Sequence, residues 1–288
     1  MFALVAAHTL VASAFITAPF IPRPSPQRST PASVVMDAEG DTTELKETLL
    51  QKAAEFKAGQ QALWQAETET AGAPLGAGSL ANIDLTEESL SALRDDVIAA
   101  IEALAATNPN PTPLQGWRTP EGCGLQGAWS LLFTTGADAT FKPGKQGAAT
   151  TYQEIDSRKG LFVNCVDFDQ STGQGGRLAG AEGGATSGKK LAGFRVVVAG
   201  KRLSDTEVQL YFKRVKLLRP TSRLPFLRTI TIPLPPSWLL RGVARRASRG
   251  KAKLSDRGAG FEMLYLDETL RMHKTFDGQY FVQQRKAE

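Results

Sequence analysis

The chain has 288 residues, 42% of them hydrophobic, enough to bury a core of its own, and one folded domain is expected once the ends are set aside. Its formal net charge of +5 is modest but unevenly spread. Two cysteines, Cys123 and Cys165, have neither a CxxC nor a metal-ligand spacing. A structural disulfide and two buried free thiols are the alternatives, the thiols being preferred. No apolar run reaches the ~20 residues that a membrane-spanning helix needs.

Residues 2–15 form a short apolar run that ends in Ala12-Ser13-Ala14-Phe15, where small residues suit signal peptidase. Residues 22–35 are rich in Pro, Ser and Thr, carry Arg23 and Arg28 and hold no acid, a transit-peptide composition. The two in series resemble the bipartite presequence of proteins sent to the secondary plastids of algae. A secretory signal followed by a propeptide is the alternative. Residues 1–36 are therefore read as a targeting presequence, removed near Met36 together with His8.

Residues 37–113 read as helices and a Pro-rich link. Between Asp41 and Ala58, Leu45, Leu49, Ala53 and Phe56 recur at helical spacing with charges between them. Gly72 to Gly78 has loop composition. Asp84 and Glu87 have capping-box spacing, and behind them Leu90, Leu93, Val97, Ile98, Ile101 and Leu104 form one apolar stripe. The helix must stop before Pro109, since Asn108-Pro109-Asn110-Pro111-Thr112-Pro113 removes donors and imposes extended backbone. The stripes are too short for a dimerising coiled coil, so a helix pair against the outside or the mouth of a sheet is expected.

Residues 114–288 carry strand periodicity. In Gly127–Thr135 the residues Trp129, Leu131 and Phe133 alternate onto one face. Tyr152 to Ile155 and Leu161 to Phe168 follow, joined by the turn-rich Asp156 to Gly160. After the Gly-rich residues 173–188 come Gly193 to Ala199, then Glu207 to Leu217, where Val208, Leu210 and Phe212 share a face. From Gly260, the residues Phe261, Met263 and Tyr265 alternate with Glu262, Leu264 and Leu266, and Asp277-Gly278 is placed as a hairpin turn. Short strands with no helices between them predict a mainly β, antiparallel sandwich or barrel; at about eight strands a barrel encloses side chains or one small ligand.

Glu44 to Leu50, the Asn108 to Pro111 link, Leu125-Gln-Gly-Ala-Trp-Ser-Leu-Leu-Phe-Thr-Thr135 and Tyr265-Leu-Asp-Glu-Thr-Leu-Arg271 occur in that order. Together they resemble the plastid-lipid-associated proteins, the plastid fibrillins, over essentially the whole mature chain. The resemblance implies an antiparallel lipocalin-like β-barrel behind the N-terminal helical pair, handling apolar molecules at plastoglobules or thylakoids. Gly127-Ala128-Trp129 is similar to the Gly-x-Trp of lipocalins, with Arg271 placed like the Arg that covers that Trp. Residues 173–188 and the basic residues 213–257 exceed the family pattern, so the resemblance does not define the shape of the barrel mouth.

On this reading Trp129, Leu131, Phe133, Val208, Leu210, Phe212 and Tyr265 line a cavity for an apolar lipid or isoprenoid, or else pack as a filled core. Asp267 and Arg271 hold a ligand head group, or else form an ion pair or a Trp129–Arg271 stack that closes the barrel. Lys213 to Lys253 carries twelve Lys and Arg and no acid. Within it Trp238, Leu239 and Leu240 with Arg241, Arg245 and Arg246 suit an anionic membrane or lipid-particle surface. A solvated loop or a nucleic-acid patch are the alternatives; paired leucines beside Trp238 argue against nucleic acid. Gly183 to Lys190 nearly spells a phosphate loop but has Lys190 where Ser or Thr should hold magnesium.

No catalytic residue, metal or cofactor is expected. His273 is the one histidine of the mature chain and is expected on the outer face of a strand, and no nucleophile elbow is present. The predicted function is a non-enzymatic plastid lipid-binding protein that holds an apolar molecule such as a prenylquinone, carotenoid or acyl lipid. A coat protein of lipid particles with a filled barrel is the alternative. A lipocalin-like enzyme is the third reading, which a buried polar cluster around His273 would favour.

Overall fold

The computed structural model describes residues 38–71, 88–136, 149–168, 192–219, 228–235 and 258–287. The presequence, the capping box at Asp84, the residues 173–188 and the segment with Trp238, Leu239, Leu240, Arg241, Arg245 and Arg246 lie outside them. Two helices come first, α1 (Ala38–Ala71) and α2 (Glu88–Ala105). α1 is longer than its apolar stripe predicts, because propensity carries a helix beyond the turns that tertiary packing uses. α2 ends three residues before Asn108, whose side-chain oxygen accepts from the backbone N–H groups of Asn110 and Leu266 and so ties the Pro-rich link to the sheet.

The strands that follow are β1 (Gly127–Thr134), β2 (Ala149–Asp156), β3 (Leu161–Phe168), β4 (Gly193–Arg202), β5 (Glu207–Leu218), β6 (Thr229–Pro233), β7 (Gly260–Leu266), β8 (Leu270–Thr275) and β9 (Tyr280–Arg285). All pair antiparallel in one sheet of order β4-β3-β2-β1-β9-β8-β7-β5-β6, and β4 also pairs with β5. That extra pairing closes a barrel-like ring, in which β7 pairs with one end of β5 and β6 with the other, both on the edge opposite β4. β6 falls within the basic residues 213–257, where the sequence suggested no strand. At the last hairpin Gly278 has φ 94°, a left-handed conformation that favours glycine, and its N–H donates to the Thr275 carbonyl.

Three register shifts decide which side chains face which way; that between β4 and β5, at Val197/Val198, leaves Val215 and Leu217 on the face of Phe212. The pairing of β1 with β9 shifts between Leu131 and Phe133, and that of β7 with β8 shifts between Met263 and Tyr265. One extra residue reverses the alternation beyond it. Trp129 therefore packs in the inner cluster while Phe133 packs outside under the helices. Met263 is inside and Tyr265 outside for the same reason. The sequence expectation of one shared face is corrected at both places.

The apolar stripes of the helices bury on this outer wall. Leu49, Ala53 and Phe56 of α1 and Val97, Ile101 and Leu104 of α2 meet Phe133, Tyr265, Leu270, Met272 and Val282. Phe56 sets its ring edge-on to Phe133 at 5.0 Å between centroids. Each such side chain contributes about 1.5–3 kcal/mol by leaving water. The helix pair thus lies outside the ring, where its stripes place it.

Candidate ligand-binding site inside the ring

The inner wall has a capped end. Leu114, Trp117 and Leu125, from the segment before β1, pack with Trp129, Phe162, Val198, Val208, Phe261 and Leu266. Gly200 allows this closeness: a Cβ there would stand 2.6 Å from the Phe162 ring and 2.8 Å from the Trp117 ring. Trp117 Nε1 donates to the Gly200 carbonyl and Trp129 Nε1 to the Leu125 carbonyl. Arg285 lies with its guanidinium carbon 4.2 Å from the Trp129 centroid and donates to the carbonyls of Gly124, Gln126 and Glu268. Arg271 faces the same ring at 5.2 Å. Two arginines therefore flank Trp129, and sequence reasoning assigned only one of them.

Val166, Phe168, Phe194, Val215 and Leu217 form a further cluster, joined by Ile230 and Ile232 of β6. Val196 packs against both inner clusters, so the apolar lining is continuous between them. Val208 is fully buried at the capped end, whereas Leu210 and Phe212 are packed on that cluster but remain partly exposed. Leu131 is opposite the buried Gln283 in the register, hence on the inner face, and is also partly exposed.

A polar row crosses this apolar interior. Gln153 on β2 donates to Asn164 on β3, its register partner. Arg271 Nη2 on β8 donates to Gln153 Oε1 at 2.5 Å, although β1 and β9 stand between their strands. It also donates to Gln283 Oε1. Arg271 is 0% exposed, and its Nε and Nη1 meet no acceptor among the described residues. Burial, followed by repulsion from Arg285, pulls this guanidinium down to about 9, still cationic at neutral pH.

His273 is two residues along on the same inner face, which corrects the outer placement expected for it. Its ring stacks on Phe281 at 4.8 Å and lies 4.7 Å from Phe261. It is 7% exposed, and Nδ1 meets no partner among the described residues. Burial, with the nearby Arg271 charge, holds its pKa well below the usual histidine range, so it is neutral. Among the described residues no carboxylate, hydroxyl or thiol bonds to it, and no group of three His, Cys, Asp or Glu could hold a metal.

Asp267 is not with Arg271. It stands on the helix side, 2.6 Å from Lys46 Nζ of α1, accepting also from the Tyr265 hydroxyl and the N–H groups of Thr269 and Leu270. Burial pushes its pKa up, but Lys46 and the other donors outweigh this and hold it at about 2. The expected Asp267–Arg271 pair is thus replaced by a strut between helix and sheet. Cys123 and Cys165 are unpaired, and burial raises both thiols, Cys165 to about 11.

The sequence reading missed Gln153, Asn164, Gln283 and Arg285. Only Asn164 carried a signal, as a polar residue at the inward phase of the largely apolar β3; β2 and β9 hold too many polar residues for the other three to stand out. An antiparallel ring with an apolar, partly open lining and one polar row, buried at Arg271 and Gln283 and partly exposed at Gln153 and Asn164, can enclose a small molecule or a packed core. The chain belongs to the PAP_fibrillin family, the plastid-lipid-associated proteins, whose model matches residues 79–284. It is in that general sense a plastid lipid-associated protein. No curated protein and no solved structure matched the chain in the same comparisons.

Proposed function

We propose that this is a non-enzymatic plastid lipid-binding protein that associates with thylakoid or plastoglobule surfaces and takes one apolar molecule, a prenylquinone, carotenoid or acyl lipid, into its ring. The observation that carries the reading is the state of the inner lining. Leu131, Val196, Leu210 and Phe212 face inward yet keep partial exposure. A side chain in that position borders free space, and filling the space with hydrocarbon gains about 0.8 kcal/mol per methylene group. The full burial of Trp129, Phe162 and Val208 favours the coat reading, in which the ring is simply core. That packing belongs to the capped end, which leaves the rest of the lining for a ligand. His273 lies between two aromatic rings with no acid or nucleophile bonded to it among the described residues, which supports binding over catalysis.

Titration with an uncharged fluorescent polyene tests the proposal. Saturable binding of one probe per chain, abolished in a folded Leu210→Asp variant, is the expected result. Absence of saturable binding favours the filled ring. Surface association is assigned to Trp238, Leu239, Leu240, Arg241, Arg245 and Arg246. Replacing the three arginines with Gln is expected to weaken binding to anionic liposomes, most at low salt, since each charge contributes about 1 kcal/mol there. Unchanged binding removes the docking role.

A further inference from the structure

Buried charges in proteins are paired, because an uncompensated ion away from water costs several kcal/mol. Arg271 departs from that rule. Its acceptors, Gln153 and Gln283, are neutral amides, and both bond to Nη2. No described carboxylate forms an ion pair with it, and the one charge that acts on its pKa, Arg285, is repulsive. Nε and Nη1 together carry three N–H donors with no acceptor among the described residues. His273, two residues along on the same face, is neutral and also has a ring nitrogen with no partner among the described residues.

We infer that the ring selects an amphiphile ending in a single carboxylate, with the carboxylate seated on Arg271 on the inner face that also carries His273, and the apolar tail along the partly exposed lining of Leu131, Val196 and Leu210. The inference deepens the carrier reading and rests on it. The charge count sets the head group: one guanidinium among neutral side chains balances a monoanion, whereas a diphosphate would bring excess charge into an apolar interior. Geometry sets the direction. Arg271 packs on Trp129 and pairs with Leu266 in the register, both at the capped end, so the head group enters first. Gln153 and Asn164, partly exposed and next in the row, border the approach to it. The inference narrows the cargo from neutral quinones and carotenoids to a free acid on a long hydrocarbon.

Calorimetric titration of the whole protein with oleate, methyl oleate and acetate provides the test. Oleate is expected to bind one per chain, about tenfold or more tighter than methyl oleate, the factor following from one charge-assisted hydrogen bond. Acetate, the same head group without a tail, is expected not to bind. Arg271→Gln should remove the preference of oleate over the ester, a selectivity readout that a merely structural arginine would not move. Equal affinity of wild type for acid and ester overturns the inference and leaves the carrier reading standing. Failure of both oleate and ester to bind overturns the two together. Acetate binding as tightly as oleate also overturns it, since the site would then take a free anion. If Arg271→Gln does not fold, the carboxyl resonance of oleate labelled with carbon-13 at C1 decides: bound to wild type it should remain ionised below about pH 5. Titration in the ordinary fatty-acid range contradicts the assignment.

Discussion

The two faces of this sheet are made of similar residues and do different things. On the outer wall the buried aromatic and polar groups find partners within the chain: Phe133 with Phe56, Tyr265 with Asp267, Asp267 with Lys46, and the Tyr280 hydroxyl with Glu102 and Lys274; Leu132 and Leu264 stay partly exposed there as well. On the inner wall apolar side chains stay partly exposed and a buried cation has no counter-charge among the described residues. An element built for stability closes its own accounts; one that leaves donors and apolar surface unmatched in its interior has been shaped for something outside the chain. On the proposed reading, the difference assigns folding energy mainly to the helix side and recognition to the inside.

The strongest way to break this division is to hollow out the outer wall. Phe56→Ala removes a 4%-exposed ring from the helix–sheet cluster and is expected to cost about 3–5 kcal/mol in denaturant unfolding. The same truncation at the partly exposed Phe212 should cost less than half of that and instead weaken ligand binding. Equal costs at the two positions would show the ring to be filled core. Arg271→Met sharpens the contrast further. Removing an uncompensated buried charge for a side chain of similar length should change the stability of the ligand-free protein by less than about 1 kcal/mol, or raise it, because the desolvation cost leaves with the charge. A loss of several kcal/mol would make Arg271 a structural member of the wall.

Asp267→Asn probes the strut between α1 and the sheet, where both side chains are largely covered, and should cost about 1–2 kcal/mol at neutral pH. The pH profile separates the faces. Asp267 is held at about 2 against an ordinary 3.8. Below the ordinary value the unfolded chain takes up a proton that the native state refuses, so this stabilisation is lost as pH falls from 3.8 toward 2. His273 has an ordinary value of 6.5 and a native one well below it. Stability should therefore begin to fall already as pH drops below 6.5, with a slope of at most about 1.4 kcal/mol per pH unit from this group. His273→Phe should abolish the earlier decline and Asp267→Asn the later one. An earlier decline that persists in His273→Phe would place the histidine in water.

Much of this was legible in the sequence where periodicity is strict. Val208, Leu210 and Phe212 alternate with polar residues, and the structure has all three on the inner face. The helix stripes at Leu49, Phe56, Val97, Ile101 and Leu104 likewise found a wall to cover. Reading failed at Leu131-Leu132-Phe133 and Met263-Leu264-Tyr265, where three consecutive apolar residues hide a one-residue bulge because either phase looks correct. Tyr265, Asp267 and Arg271 stand close together along the chain, which suggested a shared site; the bulge and the turn before Leu270 send them to opposite faces. The polar row was illegible for another reason. Its bond from Arg271 to Gln153 joins residues more than a hundred positions apart, and nothing local to either marks the partner. β6 was missed because Thr229-Ile-Thr-Ile-Pro233 is short and embedded among arginines.

Native mass spectrometry of the mature protein after exposure to a plastid lipid extract tests the central claim most directly. The account predicts one discrete lipid adduct per chain, lost when Leu210 is replaced by Asp in a protein that still folds. A folded protein that emerges from the extract without an adduct would contradict it and make the ring a core.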